Sequence, residues 1–241
     1  PPLIVLSHGG PTGAATQVFD LQTQFWTTRG FAVVDVNYGG STGYGRAYRE
    51  RLRHGWGVVD VDDCAAVARG LVAAGQADPD RLALGGGGAG GWTAVASISR
   101  SGIYRGTVAQ YPITDPLDWA EQTHDFESRY LDGLVGVLPE DAEHYRAVSP
   151  VRNAAAATGP VLLLHGEDDL IVEPRQSEAF VDALAATGGS WAFLRFPGEQ
   201  HGFRRAETMV AALAAELAFY GLIFGFERPD VPALKLERGA G

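Results

Sequence analysis

Short apolar runs alternate with stretches of helical period from one end of the chain to the other. "LIVL" (Leu3 to Leu6), "FAVVDV", "RLALG", "GTVAQYP" (Gly106 to Pro112), "PVLLLHG" (Pro160 to Gly166) and "SWAFLRF" read as strands. "GTVAQYP" and "PVLLLHG" are apolar without alternation, the pattern of parallel strands buried on both faces. Between the runs, "DLQTQFWTTRG" reads as a helix closed by Gly30, and Val61 to Ala74 repeats apolar residues at helical spacing. Pro174 to Ala186 and Glu207 to Phe224 complete the helical set. This alternation predicts one α/β domain over 1–241, a mostly parallel sheet with helices on both faces. The stretch 116–150 differs, with weak periodicity and many charges and aromatics. It reads as a capping excursion of short helices over the sheet edge. On such a sheet, functional loops lie at the carboxyl ends of the strands.

The length of 241 residues suits a single large domain. A net charge of −10 with no basic run argues against nucleic acid or an anionic membrane as partner. The single Cys64, read as a small core residue, excludes an internal disulfide framework and suits a reducing compartment, so a cytoplasmic location is expected. No apolar run reads as a membrane span, and no signal peptide is visible. The chain enters its first strand almost at once, without a methionine, which raises the expectation of a longer protein with an N-terminal part ahead of Pro1. Nothing in the sequence decides the oligomeric state, and a homo-oligomer stays open.

Four strand ends carry unusual residues: "SHGGP", "GGGGAGG", "HGEDDLIV" and "PGEQHGF". Each alone has a bland reading as a turn, a helix start or a solvated histidine. Together they fit one chemistry. A Ser-His-Asp hydrolase on this architecture needs a nucleophile on a strained strand-to-helix turn, then an acid, then a histidine, in that chain order. Asp169 and His201 appear in order at successive strand ends. An imidazole titrates near neutral pH, which suits His201 to act as general base, and an Asp beside it would hold its tautomer. Asp168 competes with Asp169, and the spacing HGxxDxxV through His165, Gly166, Asp169 and Val172 favours Asp169. His8 and His165 read as braces of their glycine turns; His54, His124 and His144 lie in charged excursions.

"HGGP", "VNYGGSTGYGR", the elbow with "AGGW", and "LLLHGEDDLIV" with "EQHGF" together resemble the catalytic α/β-hydrolase domain of the prolyl oligopeptidase family, in its acylaminoacyl-peptidase and dipeptidyl-peptidase branch. The resemblance covers almost the whole chain. It implies a serine peptidase cleaving amide or ester bonds of short peptides or acylated amino acids through an acyl-enzyme, with no cofactor. It further implies a β-propeller domain of the same protein ahead of this one. The backbone N–H groups of Gly10 and Ala89 would form the oxyanion hole, and Trp92, Tyr111, Phe126 and Tyr130 would line an apolar substrate pocket.

Two positions depart from the family pattern. Gly39 stands where relatives usually carry arginine, and Gly88 stands at the serine position of the elbow. No neighbour substitutes, because Ser97, Ser99 and Ser101 fall toward or beyond the far end of the following helix and Thr93 lies inside it. Intact Asp169 and His201 beside a missing serine favour a replaced nucleophile over a site lost by drift. A natural pseudohydrolase that binds a peptide or partner is the alternative. A more remote rival reads Gly85, Gly87 and Gly90 as a dinucleotide-binding fingerprint, but no acidic residue closes the following strand to hold a ribose. A P-loop lacks its lysine, and metal chemistry lacks clustered His and Cys ligands.

Overall fold

The computed structural model describes residues 1–122 and 129–241. Its strands are β1 (Leu3–Ser7), β2 (Ala32–Val36), β3 (Leu82–Gly87), β4 (Gly106–Gln110), β5 (Val161–Gly166), β6 (Ser190–Phe196) and β7 (Glu237–Arg238). They form one sheet in the order β2-β1-β3-β4-β5-β6-β7. The first six are the predicted strands, and each of their pairings is parallel. β7 adds an antiparallel edge of two residues, too short to leave a pattern in the sequence.

The helices are α1 (Leu21–Thr27), α2 (Arg46–Arg49), α3 (Val59–Ala73), α4 (Ala89–Arg100), α5 (Pro116–Gln122), α6 (Tyr130–Leu134), α7 (Ala142–Val148), α8 (Arg175–Ala186) and α9 (Ala206–Phe224). Successive strand residues point to opposite faces, and the two cores follow that alternation. Leu3, Val5, Leu84 and Leu163 face α3, α4 and α8, where they meet Val61, Val95 and Phe180. Ile4, Ala83, Val108 and Leu162 face α1 and α9, where they meet Trp26, Leu217 and Phe219. Cys64 lies in the first core, free and fully buried.

Two readings change. α9 is long and apolar enough, by length and composition, to cross a membrane, contrary to the sequence expectation. Its Leu217, Phe219, Tyr220 and Phe224 are buried in the second core. The glycine-punctuated loop after β2 contains α2 and a 3-10 turn at Glu50–Leu52, with Gly40 N–H donating to Tyr48 O at 2.9 Å. That loop is closed around Gly39, where a Cβ would stand 2.9 Å from Arg51 Cζ and 2.8 Å from Val59 Cγ1. The Arg51 guanidinium, 3.3 Å from Asp63, already fills the space that a side chain at 39 would enter. The excursion at 116–150 holds the short helices α5, α6 and α7, whose Trp119, Leu131 and Tyr145 extend the first core.

Candidate active site

The elbow between β3 and α4 is built by omission of side chains. A Cβ on Gly90 would collide with Ser7 O of β1, and one on Gly86 would stand 2.6 Å from the same oxygen and from the Gly90 carbonyl. Strand, turn and helix therefore approach β1 at backbone distance, which only glycine permits. Gly88 sits at the apex with φ 57° and ψ −116°, and its N–H is held by Gln110 O at 3.0 Å. α4 starts at the next residue, so its first N–H groups have no acceptor within the helix. Neither Ala89 N–H nor Gly10 N–H donates to a protein acceptor among the described residues, and both residues line the cleft above Gly88.

The opposite side of the cleft is built from side chains. Asp169 is 1% exposed, whereas Asp168 is exposed, so burial separates the two candidates as well as the spacing does. Asp169 Oδ1 accepts the N–H groups of Ile171 and Val172, each at 2.9 Å. Its Oδ2 accepts His201 Nδ1–H at 2.8 Å and lies 3.3 Å from His165 Nε2. Burial alone would raise this carboxyl, but the hydrogen bonds from His165 and His201, with the His201 charge, hold it well below the ordinary carboxylate range. His165 is the expected brace: its Nε2 bonds Val172 O and its Nδ1 bonds Ser177 Oγ, both at 2.8 Å. His8 braces the other turn, with Nδ1 on Gly9 O and Nε2 on Ser41 Oγ, both at 2.7 Å.

With Nδ1–H given to Asp169, His201 keeps a lone pair on Nε2. A Cβ built on Gly88 stands 3.2 Å from that nitrogen and 3.8 Å from Cε1, and apart from its chain neighbours no other described residue has an atom within 4 Å. A hydroxyl one bond farther out falls within hydrogen-bonding reach of Nε2. Base, orienting carboxylate and elbow thus converge at the wall of a cleft of about 920 Å³. The arrangement suits acyl transfer, in which a base moves one proton while free N–H groups receive a developing oxyanion.

The expected pocket residues divide. Tyr111 lines the cleft, with its ring centroid 4.6 Å from that of His201 and φ 40°. Tyr130 lines it too, its hydroxyl 3.0 Å from Thr12 Oγ1. Trp92 does not. It is fully buried on the inward face of α4, stacked at 4.6 Å on Trp56, and Trp56 reaches the cleft in its place. Phe126 lies outside the described residues, as does His124.

Thr93 lies inside α4 as expected, bonding the buried Asp60 at 2.5 Å. Burial pushes the Asp60 carboxyl up to about 6 against hydrogen bonds from Thr93 and Gly57. Sequence reading missed Glu199, whose carboxylate accepts Arg204 N–H at 3.1 Å and Arg205 N–H at 3.0 Å, closing the His201 loop onto the start of α9. The available signal was an acidic residue just ahead of a helix start. Among the described residues, no group of three or more His, Cys, Asp or Glu side chains could hold a metal ion.

The model of the prolyl oligopeptidase family matches residues 17–226. The chain is 31% identical over 206 residues to the uncharacterized peptidase YuxL of Bacillus subtilis (strain 168), covering 85% of this chain and 31% of that one. It is 28% identical over 219 residues to the acylamino-acid-releasing enzyme of Arabidopsis thaliana, covering 86% and 28% respectively. Its fold superposes with a TM-score of 0.96 and 53% identity on a puromycin-hydrolyzing peptidase from Mycobacterium tuberculosis, covering 98% of this chain and 36% of that one. The chain therefore spans about a third of the length of these relatives.

Proposed function

The chain belongs to the prolyl oligopeptidase family, and on that premise we propose that it is the acyl-transfer domain of a serine peptidase acting on short peptides or acylated amino acids, with glycine at the nucleophile position. In this reading His201 is the general base, Asp169 orients it, Gly10 and Ala89 N–H groups receive the oxyanion, and Tyr111 and Tyr130 contact substrate. One observation carries it: a Cβ at position 88 would stand 3.2 Å from His201 Nε2, where a serine hydroxyl would be activated. The relative that hydrolyses puromycin supports an aminoacyl amide as substrate class. The acylamino-acid-releasing relative supports a blocked N-terminal residue. A β-propeller domain of the same protein would restrict which peptides reach the cleft.

As the chain stands, substrate should bind and no acyl-enzyme should form. The test is Gly88→Ser. That variant should be labelled at position 88 by an organophosphonate and should hydrolyse aminoacyl anilides and small activated esters. A folded Gly88→Ser that neither labels nor hydrolyses any ester would replace this reading with that of a pseudohydrolase binding module.

A further inference from the structure

Gly88 does more than remove an oxygen, because it also leaves a space. Apart from its chain neighbours, a Cβ built there has only His201 within 4 Å among the described residues, and Gly88 itself lines the open cleft. The place of a serine Cβ is thus open toward the cleft, with His201 Nε2 at its border. The same cleft presents the N–H groups of Gly10 and Ala89, which have no protein acceptor among the described residues. Base and oxyanion donors are in place, and the seat of the attacking atom accepts something the size of a hydroxymethyl group.

We propose that this chain transfers acyl groups directly to a small external nucleophile, water or a hydroxylamine-sized amine, seated in the space at Gly88, without an acyl-enzyme. The inference rests on the triad reading above. The nucleophile's oxygen or nitrogen bonds to the carbonyl carbon while its proton passes to His201 Nε2. The carbonyl π pair moves onto oxygen, where the Gly10 and Ala89 N–H groups hold it. That pair then returns, the bond to the alcohol or amine leaving group breaks, and the leaving group takes the proton from His201. The nucleophile's hydrogen and the acyl group have changed partners, and nothing is oxidised or reduced.

The seated nucleophile is not tethered, so much of the advantage of a fixed serine is lost. Triad knockouts in other serine proteases retain roughly 10³–10⁴-fold over the uncatalysed rate, and a seat beside an intact base places this chain in that range. Size should matter. Water, methanol and hydroxylamine fit the space of a hydroxymethyl group, and branched amines do not.

The experiment follows p-nitrophenol release from N-acetyl-phenylalanine p-nitrophenyl ester at rising hydroxylamine concentration, subtracting the enzyme-free rate. In the chain as it stands, the external nucleophile enters the first chemical step, so kcat/KM should rise with hydroxylamine and acyl hydroxamate should accumulate. In Gly88→Ser, acylation sets kcat/KM, which should ignore hydroxylamine while only the product ratio changes. Gly88→Ala puts a methyl group into the seat and should lose the response. His201→Gln removes the base and should lower the enzyme-dependent rate roughly 10²-fold or more.

A hydroxylamine-independent rate in the glycine chain overturns the proposal, as does an undiminished response in either Gly88→Ala or His201→Gln. If Gly88→Ser is labelled by phosphonate while the glycine chain ignores hydroxylamine, this inference alone falls. If Gly88→Ser is also inert, the triad reading falls with it.

Discussion

The acid–base arm and the elbow meet at Gly88 against His201 Nε2, yet they are specified in different ways. On the arm, side chains make the contacts: Asp169 is held by two backbone N–H groups and two imidazoles, and Glu199 ties down the His201 loop. On the elbow, Gly86 and Gly90 let three backbone segments touch, and its free N–H groups belong to no side chain. A residue of the arm can therefore be changed with loss of chemistry and retention of fold. Gly86 and Gly90 of the elbow cannot gain a Cβ without moving β1. Substitutions on the two sides should separate activity from stability, and the following four test that separation.

The largest effect belongs to the arm. In a Gly88→Ser background, Asp169→Asn should lower kcat by roughly 10⁴-fold, because the imidazole loses the partner that selects its tautomer. The fold should be retained, since the remaining side-chain oxygen can still accept the Ile171 and Val172 N–H groups, although the stabilisation that goes with the depressed carboxyl is lost. The Asp169 carboxyl is held below the ordinary carboxylate range, so it stays charged wherever an imidazole titrates. The acid limb of the pH–rate profile therefore does not belong to Asp169, and Asp169→Asn should lower the plateau without moving that limb. Near-normal turnover in Asp169→Asn would remove that carboxylate from the mechanism.

The elbow should respond the other way. Gly90→Ala drives a methyl group into Ser7 O, with His8 O at 3.2 Å behind it, and no flexible side chain is available to yield. A destabilisation of about 3 kcal/mol or more is expected, at the upper end for overpacking against backbone. Chemical denaturation measures it. A Gly90→Ala chain as stable as its parent would mean that strand and helix are not in backbone contact.

Under the elbow, Glu216 of α9 is buried and bonded to Gln110 at 2.8 Å, and Gln110 O holds the Gly88 N–H at 3.0 Å. Burial pushes the Glu216 carboxyl up to about 7 against that hydrogen bond. Its folded-state value thus exceeds its unfolded one, the folded protein binds the extra proton, and stability must fall as pH rises from about 4.5 to about 7. Glu216→Gln removes that slope and should be more stable than the parent above pH 7, by on the order of 1–3 kcal/mol. Melting curves across that window decide it. An unchanged slope would show that Glu216 titrates as an exposed carboxyl does.

The same contrast explains what could be read in the sequence. Strands buried on both faces need apolar runs, so six of them stood out, and Asp169 and His201 were visible because each follows such a run in triad order. The glycine cluster was visible too, since nothing but a close backbone approach calls for so many. What stayed hidden depends on which way a side chain turns. Trp92 sits one turn into α4, and no local pattern says that it faces Trp56 in the core and not the cleft. Glu199 acts on main-chain N–H groups, which leave no partner residue to pair it with. Glu216 is an acidic residue on an apolar helix, and only the fold brings Gln110 of β4 beside it.

The smallest effect lies where the two halves meet. Gly88 holds φ 57° and ψ −116°, a region that residues with a Cβ enter at a cost of order 1–3 kcal/mol. Gly88→Ser would incur that strain, and its Cβ would sit tightly at 3.2 Å from His201 Nε2. Two terms oppose it. Serine loses less backbone entropy on folding than glycine, by about 0.4–1 kcal/mol, and its hydroxyl gains a hydrogen bond to the imidazole worth about 1 kcal/mol. The difference leaves the serine form less stable by about 1 kcal/mol or less, a fall in Tm of about 2–4 °C at most for a chain of this size. Adding His201→Ala to both forms removes the hydrogen bond and the crowding together, so the remaining gap reports backbone strain alone. If the serine form still melts no lower than the glycine form in that background, position 88 is not held in a strained turn, and the elbow is an ordinary start of a helix.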